Sequence, residues 1–231
     1  AALVLAQAGA QVLVVARRGE RLRALAEAQP PLAERLHPLA LDLSEAGAAA
    51  CVAERAMAHL GGCDILVGAA GIPGRMPAQA VEAERFNQVL QFNVTAQAEL
   101  ASALHPALRA SGCGRVIHVA SIYGLRAPQV GQLGPYVASK HALVGLTRSQ
   151  AIEWGPDGIT VNALAPGHFP TEMTDNLLAD PAVVARLLPR YPIGRFGRLE
   201  DLDTALLFLA APASAFITGV VLPLDGGWTS C

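Results

Sequence analysis

The sequence is short of charge and of aromatic rings. Asp, Glu, Lys and Arg make up 16% of its 231 residues and Phe, Trp and Tyr 5%, while hydrophobic residues reach 52%. Ordinary soluble domains carry about 25% charged and about 45–50% apolar residues. That balance excludes a solvated, disordered chain. A net charge of -2 provides no global field to draw in nucleic acid or an anionic membrane surface. No apolar run reaches the ~18 unbroken residues of a membrane span: Ala1–Val15 and Ala205–Phe216 are interrupted by Gln, Gly, Pro or Ser. Ala1–Ala16 has no basic flank before its apolar part, so it does not read as a signal peptide. Cysteine is scarce too. Cys51, Cys63, Cys113 and Cys231 form no C-x-x-C pair and have no His at ligand spacing, so no metal is expected. They read as free thiols of a cytoplasmic protein.

Val-, Ile- and Leu-rich runs alternate with longer Ala/Leu-rich stretches, which is the pattern of βαβ units and an α/β fold. Strands are expected at Gln11–Ala16, His37–Leu41, Ile65–Gly68, Val116–Ala120, Thr160–Ala165 and Val220–Leu224. Their near-continuous hydrophobicity suits parallel strands covered on both faces. Helices are expected at Glu20–Glu27, Glu45–Leu60, Ala80–Ala110, Tyr136–Trp154, Thr171–Leu188 and Leu199–Ala210. With no linker or repeat, residues 1–231 read as one domain. Ala1–Ala8 reads as the remainder of a helix stopped by Gly9, whereas a nucleotide-binding sheet should begin with a strand and a Gly-rich turn before that helix. The domain is therefore expected to be N-terminally truncated, with its first strand missing.

Three residues carry the chemistry. Ser121 follows an apolar strand and so stands at a carboxyl end, where open α/β sheets bind ligands. Tyr136 and Lys140 lie four apart in a helical segment and share one face. An ammonium beside a phenol favours the phenolate, which lets a tyrosine exchange a proton with a carbonyl or alcohol oxygen nearer neutrality. Ser121 would bond the same oxygen. A Tyr-x-x-x-Lys pair alone is a weak signal, and its surroundings must decide.

Those surroundings are Tyr136-Val-Ala-Ser-Lys140, the run Ile159-Thr-Val-Asn-Ala-Leu-Ala-Pro-Gly167 and the ending Leu224-Asp-Gly-Gly227. Together they resemble the short-chain dehydrogenase/reductase family, from Ala1 to Trp228. The resemblance implies a Rossmann-like, doubly wound parallel sheet in a three-layer αβα arrangement, and hydride transfer between NADP(H) and a small ketone or secondary alcohol. It implies catalytic roles for Asn93, Ser121, Tyr136 and Lys140, with Asn93 kinking its helix and holding a water. Lys140 would lower the tyrosine pKa and, beside Tyr136, bond the nicotinamide ribose. Pro166 and Gly167 would open the nicotinamide loop, with Phe169 and Thr171 flanking the carboxamide. Asp42 and Leu43 would bracket the adenine, although Asp42 or Ser44 could instead cap the next helix. Where the family carries an acid that selects NAD(H), this chain has Ala16 followed by Arg17 and Arg18. Guanidinium groups grip phosphate, so NADP(H) is expected over NAD(H).

Three features depart from the family pattern. The Gly-rich phosphate loop has no counterpart in the sequence. The usual Asn-Asn-Ala-Gly is Gly68-Ala69-Ala70-Gly71, which keeps small residues, Ala70 and Gly71 among them, facing the cofactor but loses both amides. The interval from Ser121 to Tyr136 is longer than usual, its excess lying in Ala127–Gly134, and reads as a specificity feature. Met173–Arg190 corresponds to the lid, and the neighbouring motifs resemble members acting on sugar acids, polyols or 3-oxoacyl thioesters. His168 is expected to be an exposed loop histidine. A homodimer or homotetramer through Ala80–Ala110 and the Tyr136 helix is implied. An inactive truncated relative or binding protein, and an isomerase or epimerase using the same residues, remain as alternatives.

Overall fold

The computed structural model describes residues 1–128 and 131–230. Gln129 and Val130 of the Ala127–Gly134 insertion, and Cys231, lie outside the described residues. The expected Rossmann-like α/β arrangement is present. In chain order it runs α1 (Ala2–Gln7), β1 (Val12–Ala16), α2 (Gly19–Glu27), β2 (Leu36–Ala40), α3 (Ala48–Leu60), β3 (Ile65–Gly68), α4 (Ala83–Leu90), α5 (Ala96–Ala110) and β4 (Arg115–Val119). There follow α6 (Gly134–Trp154), β5 (Thr160–Pro166), α7 (Asp175–Leu178), α8 (Pro181–Leu187), α9 (Asp203–Ala210) and β6 (Val221–Leu224).

All strand pairs are parallel, but the strands form two sheets, β1-β2 and β3-β4-β5-β6. β1 and β3 each end a sheet, so one edge of each is without a ladder partner among the described residues. Side chains join what the ladders do not. On one face Leu13 and Val15 of β1 pack with Leu66 and Val116 against Val52, Ala56, Leu100, Leu104 and Leu108 from α3 and α5. On the other, Val12 packs with Ile65 and Ile117 against Val4 and Leu5 of α1 and Leu206 and Leu209 of α9. Two apolar layers with strands between them make the αβα sandwich.

Three expected helices are interrupted. Ala80–Ala110 starts later, at Ala83, and a π-turn at Gln91–Thr95 separates α4 from α5. Thr171–Leu188 resolves into α7 and α8, because Asp180 caps a new start, its Oδ1 accepting from Ala182 N at 2.9 Å ahead of Pro181. The stretch from Leu199 opens as a 3₁₀ turn and becomes α-helical at Asp203. Helix α3 begins at Ala48 rather than Glu45, with Gly47 at φ 82° before it. Asp42 and Ser44 do not cap it: Asp42 Oδ1 instead accepts from Ser44 N and Oγ, at 2.9 and 2.7 Å.

Candidate active site

The carboxyl end of β4 positions the first catalytic candidate. Beyond Val119 the chain turns through Ala120 and Ser121 into the 3₁₀ turn Ile122–Gly124, where the Tyr123 N–H donates to Ser121 Oγ at 3.1 Å. Gly124 lets this turn lie on α6, since a Cβ there would stand 2.7 Å from the Lys140 carbonyl oxygen. Only glycine allows that approach. It sets Ser121 against Tyr136, whose hydroxyl is hydrogen-bonded to the Ser121 side chain.

Lys140, one helical turn after Tyr136, is 4% exposed. Its Nζ donates to the Val119 carbonyl at 2.7 Å and lies 5.6 Å from the Tyr136 ring centroid. Burial pulls its pKa down to about 8. The expected lowering of the Tyr136 pKa by Lys140 does not dominate: burial raises it, and the Ser121 hydrogen bond works the other way. A half-buried phenol loses solvation on ionising, and an ammonium already bonded to a carbonyl offsets little of that.

Asn93 lies in the π-turn and is fully buried, so it is no solvent-facing residue. The Ala96 N–H reaches back to Gln91 O, and the widened turn aims Asn93 inward. Its Oδ1 accepts from Ile72 N at 2.7 Å, and its Nδ2 donates to Ile72 O and to Ser139 Oγ, both at 3.0 Å. Ser139 in turn donates to the Tyr136 carbonyl at 2.7 Å. The loop after β3 is thereby tied to the Tyr136 helix. Gln97, which sequence reasoning did not single out, completes the tie by donating to Ala70 O at 2.8 Å. Ala70 and Gly71 border the same place: a Cβ on Gly71 would meet Lys140 Nζ and Asn93 Oδ1, each at 3.5 Å.

The arginines stand elsewhere, on the exposed rim after β1. Arg17 lies 3.8 Å from Asp42 and stacks at 5.6 Å over Phe92. Arg18 bonds Glu172 at 3.0 Å, and Arg21 pairs with the same carboxylate. Two guanidinium groups thus converge on one carboxylate from the loop after β5. Asp42 is held below the usual carboxylate range, chiefly by the Ser44 side-chain hydrogen bond. Leu43 packs inward against the α3–α5 layer.

Pro166 ends β5, and Gly167 N donates to Leu224 O at 3.0 Å. Phe169 is buried, whereas Thr171 is exposed and bonded to Thr174. His168 overturns its expected place: it is 5% exposed. Its Nδ1 meets the Tyr191 hydroxyl at 2.5 Å and its Nε2 the Tyr123 hydroxyl at 3.1 Å. Burial, then Arg190, lowers its pKa to about 4, and burial pushes Tyr123 up to about 12. Behind it a cavity of about 350 Å³ is lined by Gly167, Phe169, Tyr191, Ile193 and Asp225 among others. Among the described residues no group of His, Cys, Asp and Glu could hold a metal, and no helix is long and apolar enough to cross a membrane.

The sequence profile of the family described as enoyl-(acyl carrier protein) reductase matches residues 1–229. The chain is 37% identical to a gluconate 5-dehydrogenase of Gluconobacter oxydans over 171 residues, 74% of this chain and 66% of that relative. It is 35% identical to a galactitol 2-dehydrogenase (L-tagatose-forming) of Cereibacter sphaeroides over 97% of this chain and 87% of that one. A gluconate 5-dehydrogenase from Burkholderia cenocepacia, solved in complex with NADP and tartrate, superposes with a TM-score of 0.91 at 33% identity, covering 100% of this chain and 89% of that one.

Proposed function

Because the chain belongs to the short-chain dehydrogenase/reductase family, we propose that it is an NADP(H)-dependent oxidoreductase of a sugar acid or polyol, interconverting a secondary alcohol and a ketone. The observation that carries the reading is the Tyr136 hydroxyl bonded to Ser121 beside a buried Lys140. The similar proteins named for gluconate and galactitol support the substrate class, and the neighbour solved with NADP and tartrate supports the cofactor and a hydroxy-acid ligand.

The residues present fit the adenosine end of NADP(H). Arg18 and Arg21 already share one carboxylate from Glu172, and a 2′-phosphate is an anion they could take in its place. Tyr136 and Lys140 would hold the nicotinamide ribose, and Pro166 and Gly167 the loop beside it. When bound, the cofactor supplies or accepts the hydride. Tyr136 passes its phenolic proton to the ketone oxygen in reduction and recovers it in oxidation. Ser121 donates to that oxygen and fixes its position, and its hydrogen bond favours the phenolate left behind. Asn93 holds the Ile72 loop against the Tyr136 helix, so a misplaced phenol is prevented at the level of the backbone. Pairing with further copies of the chain through α5 and α6 belongs to the same reading.

Stoichiometric oxidation of NADPH by ketones of sugar acids and polyols is the test. Tyr136→Phe should lose about 10²–10⁴-fold in turnover while keeping the melting temperature. Unchanged turnover defeats the assignment, and substrate conversion without NADPH oxidation places the chain among isomerases instead.

A further inference from the structure

Next to Tyr136 lies a buried cluster of hydrogen-bond donors that the reaction does not use. Arg190 closes the turn after α8 with its guanidinium carbon 4.2 Å above the Trp228 ring, and its Nη1 is buried without a partner. Trp228 is fully buried, and its Nε1 is likewise unbonded. Arg190 enters no ion pair among the described residues, although acids are near. Asp225 is committed to its own turn, accepting from Gly227 N, Thr229 N and Thr229 Oγ1 at 3.0, 2.8 and 2.6 Å. Glu172 is taken by Arg18 and Arg21, and Asp201 by Arg195.

The hydrogen-bond chain through His168 adds a third donor. His168 N–H donates to the Tyr191 hydroxyl at 3.0 Å, and in the tautomer protonated at Nε2 that hydroxyl donates to His168 Nδ1. A neutral imidazole accepting at Nδ1 must donate at Nε2. In that tautomer the Tyr123 hydroxyl accepts from Nε2–H at 3.1 Å, and its own proton is left to point away from His168. Tyr123 packs edge-on to Trp228 at 5.9 Å, and Tyr136 packs against the same cluster.

We propose that Arg190, Trp228 and Tyr123 form a carboxylate-binding site beside Tyr136, so that the chain selects a sugar acid over a neutral polyol. The inference rests on the reading of Tyr136 as the proton donor at the other end of that ligand. Three donors, one of them a cation with no ion-pair partner among the described residues, match a carboxylate, whose two oxygens only accept. Buried donors left unbonded are costly, and the ligand that satisfies them recovers that cost on binding.

Calorimetric titration of the chain with sodium gluconate and with galactitol tests this without turnover. Gluconate should bind the more tightly, and Arg190→Gln should lower the gluconate-to-galactitol affinity ratio roughly 10- to 100-fold. Trp228→Phe, which keeps an aromatic ring and deletes the N–H, should lower it less, and it decides the matter if Arg190→Gln melts below the assay temperature. An unchanged ratio in the variants, or no gluconate binding by the unaltered chain, overturns the proposal. Failure of the oxidoreductase reading looks different: gluconate binding that depends on Arg190 would persist without any NADPH oxidation. Conversely, NADPH oxidation indifferent to Arg190 leaves the enzyme and removes the carboxylate site.

Discussion

Around Tyr136 the polar side chains are buried and bonded largely to backbone, whereas around Arg18 they are exposed and bonded to other side chains. Asn93, Ser139 and Lys140 fasten to Ile72, to the Tyr136 carbonyl and to Val119, all fixed points of the fold. Arg18 and Glu172 hold one another with side chains 54% and 59% exposed. Buried polar groups with backbone partners define geometry, because losing one strands the other. Exposed ion pairs define charge while remaining free to exchange partners. The difference suits a site in which a proton must move along a fixed line at one end and a ligand anion must enter and leave at the other.

The comparison can be broken most forcefully at Asn93. Asn93→Ala strands Ile72 N–H, Ile72 C=O and the Ser139 hydroxyl together, and urea unfolding should register a loss of about 4 kcal/mol. A loss near that of a surface substitution would mean that the buried web is ornamental. Next in size is acid sensitivity at His168. Its folded pKa, near 4, lies below the ordinary value of 6.5, so the unfolded chain binds the extra proton in the window between them. Stability is whole above pH 6.5 and falls as the pH drops towards 4, by up to about 3 kcal/mol. His168→Gln should flatten that part of the pH profile, and an unaltered slope would mean that some group other than the buried imidazole takes up the proton. Smallest is the rim. Glu172→Gln should change stability by no more than about 0.5 kcal/mol while tightening NADPH severalfold by freeing Arg18 and Arg21. Weaker NADPH binding in that variant would show the carboxylate to be something other than a competitor for the phosphate.

The strands are legible in the sequence because each is a compact apolar run; β5, buried along nearly its whole length, is the clearest. Ser121, Tyr136 and Lys140 are legible as a motif, and the structure brings them together. What escapes is whatever depends on partners distant in the chain. His168 looks like a loop residue because its burial comes from Tyr123 and Tyr191, 45 and 23 positions away. Gln97 looks like an ordinary helix polar residue, since nothing local reveals the Ala70 carbonyl it meets 27 positions back. The break between α7 and α8 is written in Asp180-Pro181, a cap followed by a first-turn proline, although the apolar spacing runs across it as if through one helix. The π-turn is not read from the hydrophobic spacing either, and Ala80–Ala110 reads as one helix across it.

The surplus residue of that π-turn makes α4 and α5 differ in phase. Removing any one position from Gln91–Thr95 would wind the turn back to an ordinary helix and rotate everything after it by about 100° while drawing it in by about 1.5 Å. Asn93 would swing off Ile72, and Leu100, Leu104 and Leu108, each at most 6% exposed, would leave the core together. Asn93 and the main apolar layer are therefore set by one count of residues, and neither can be re-registered without the other.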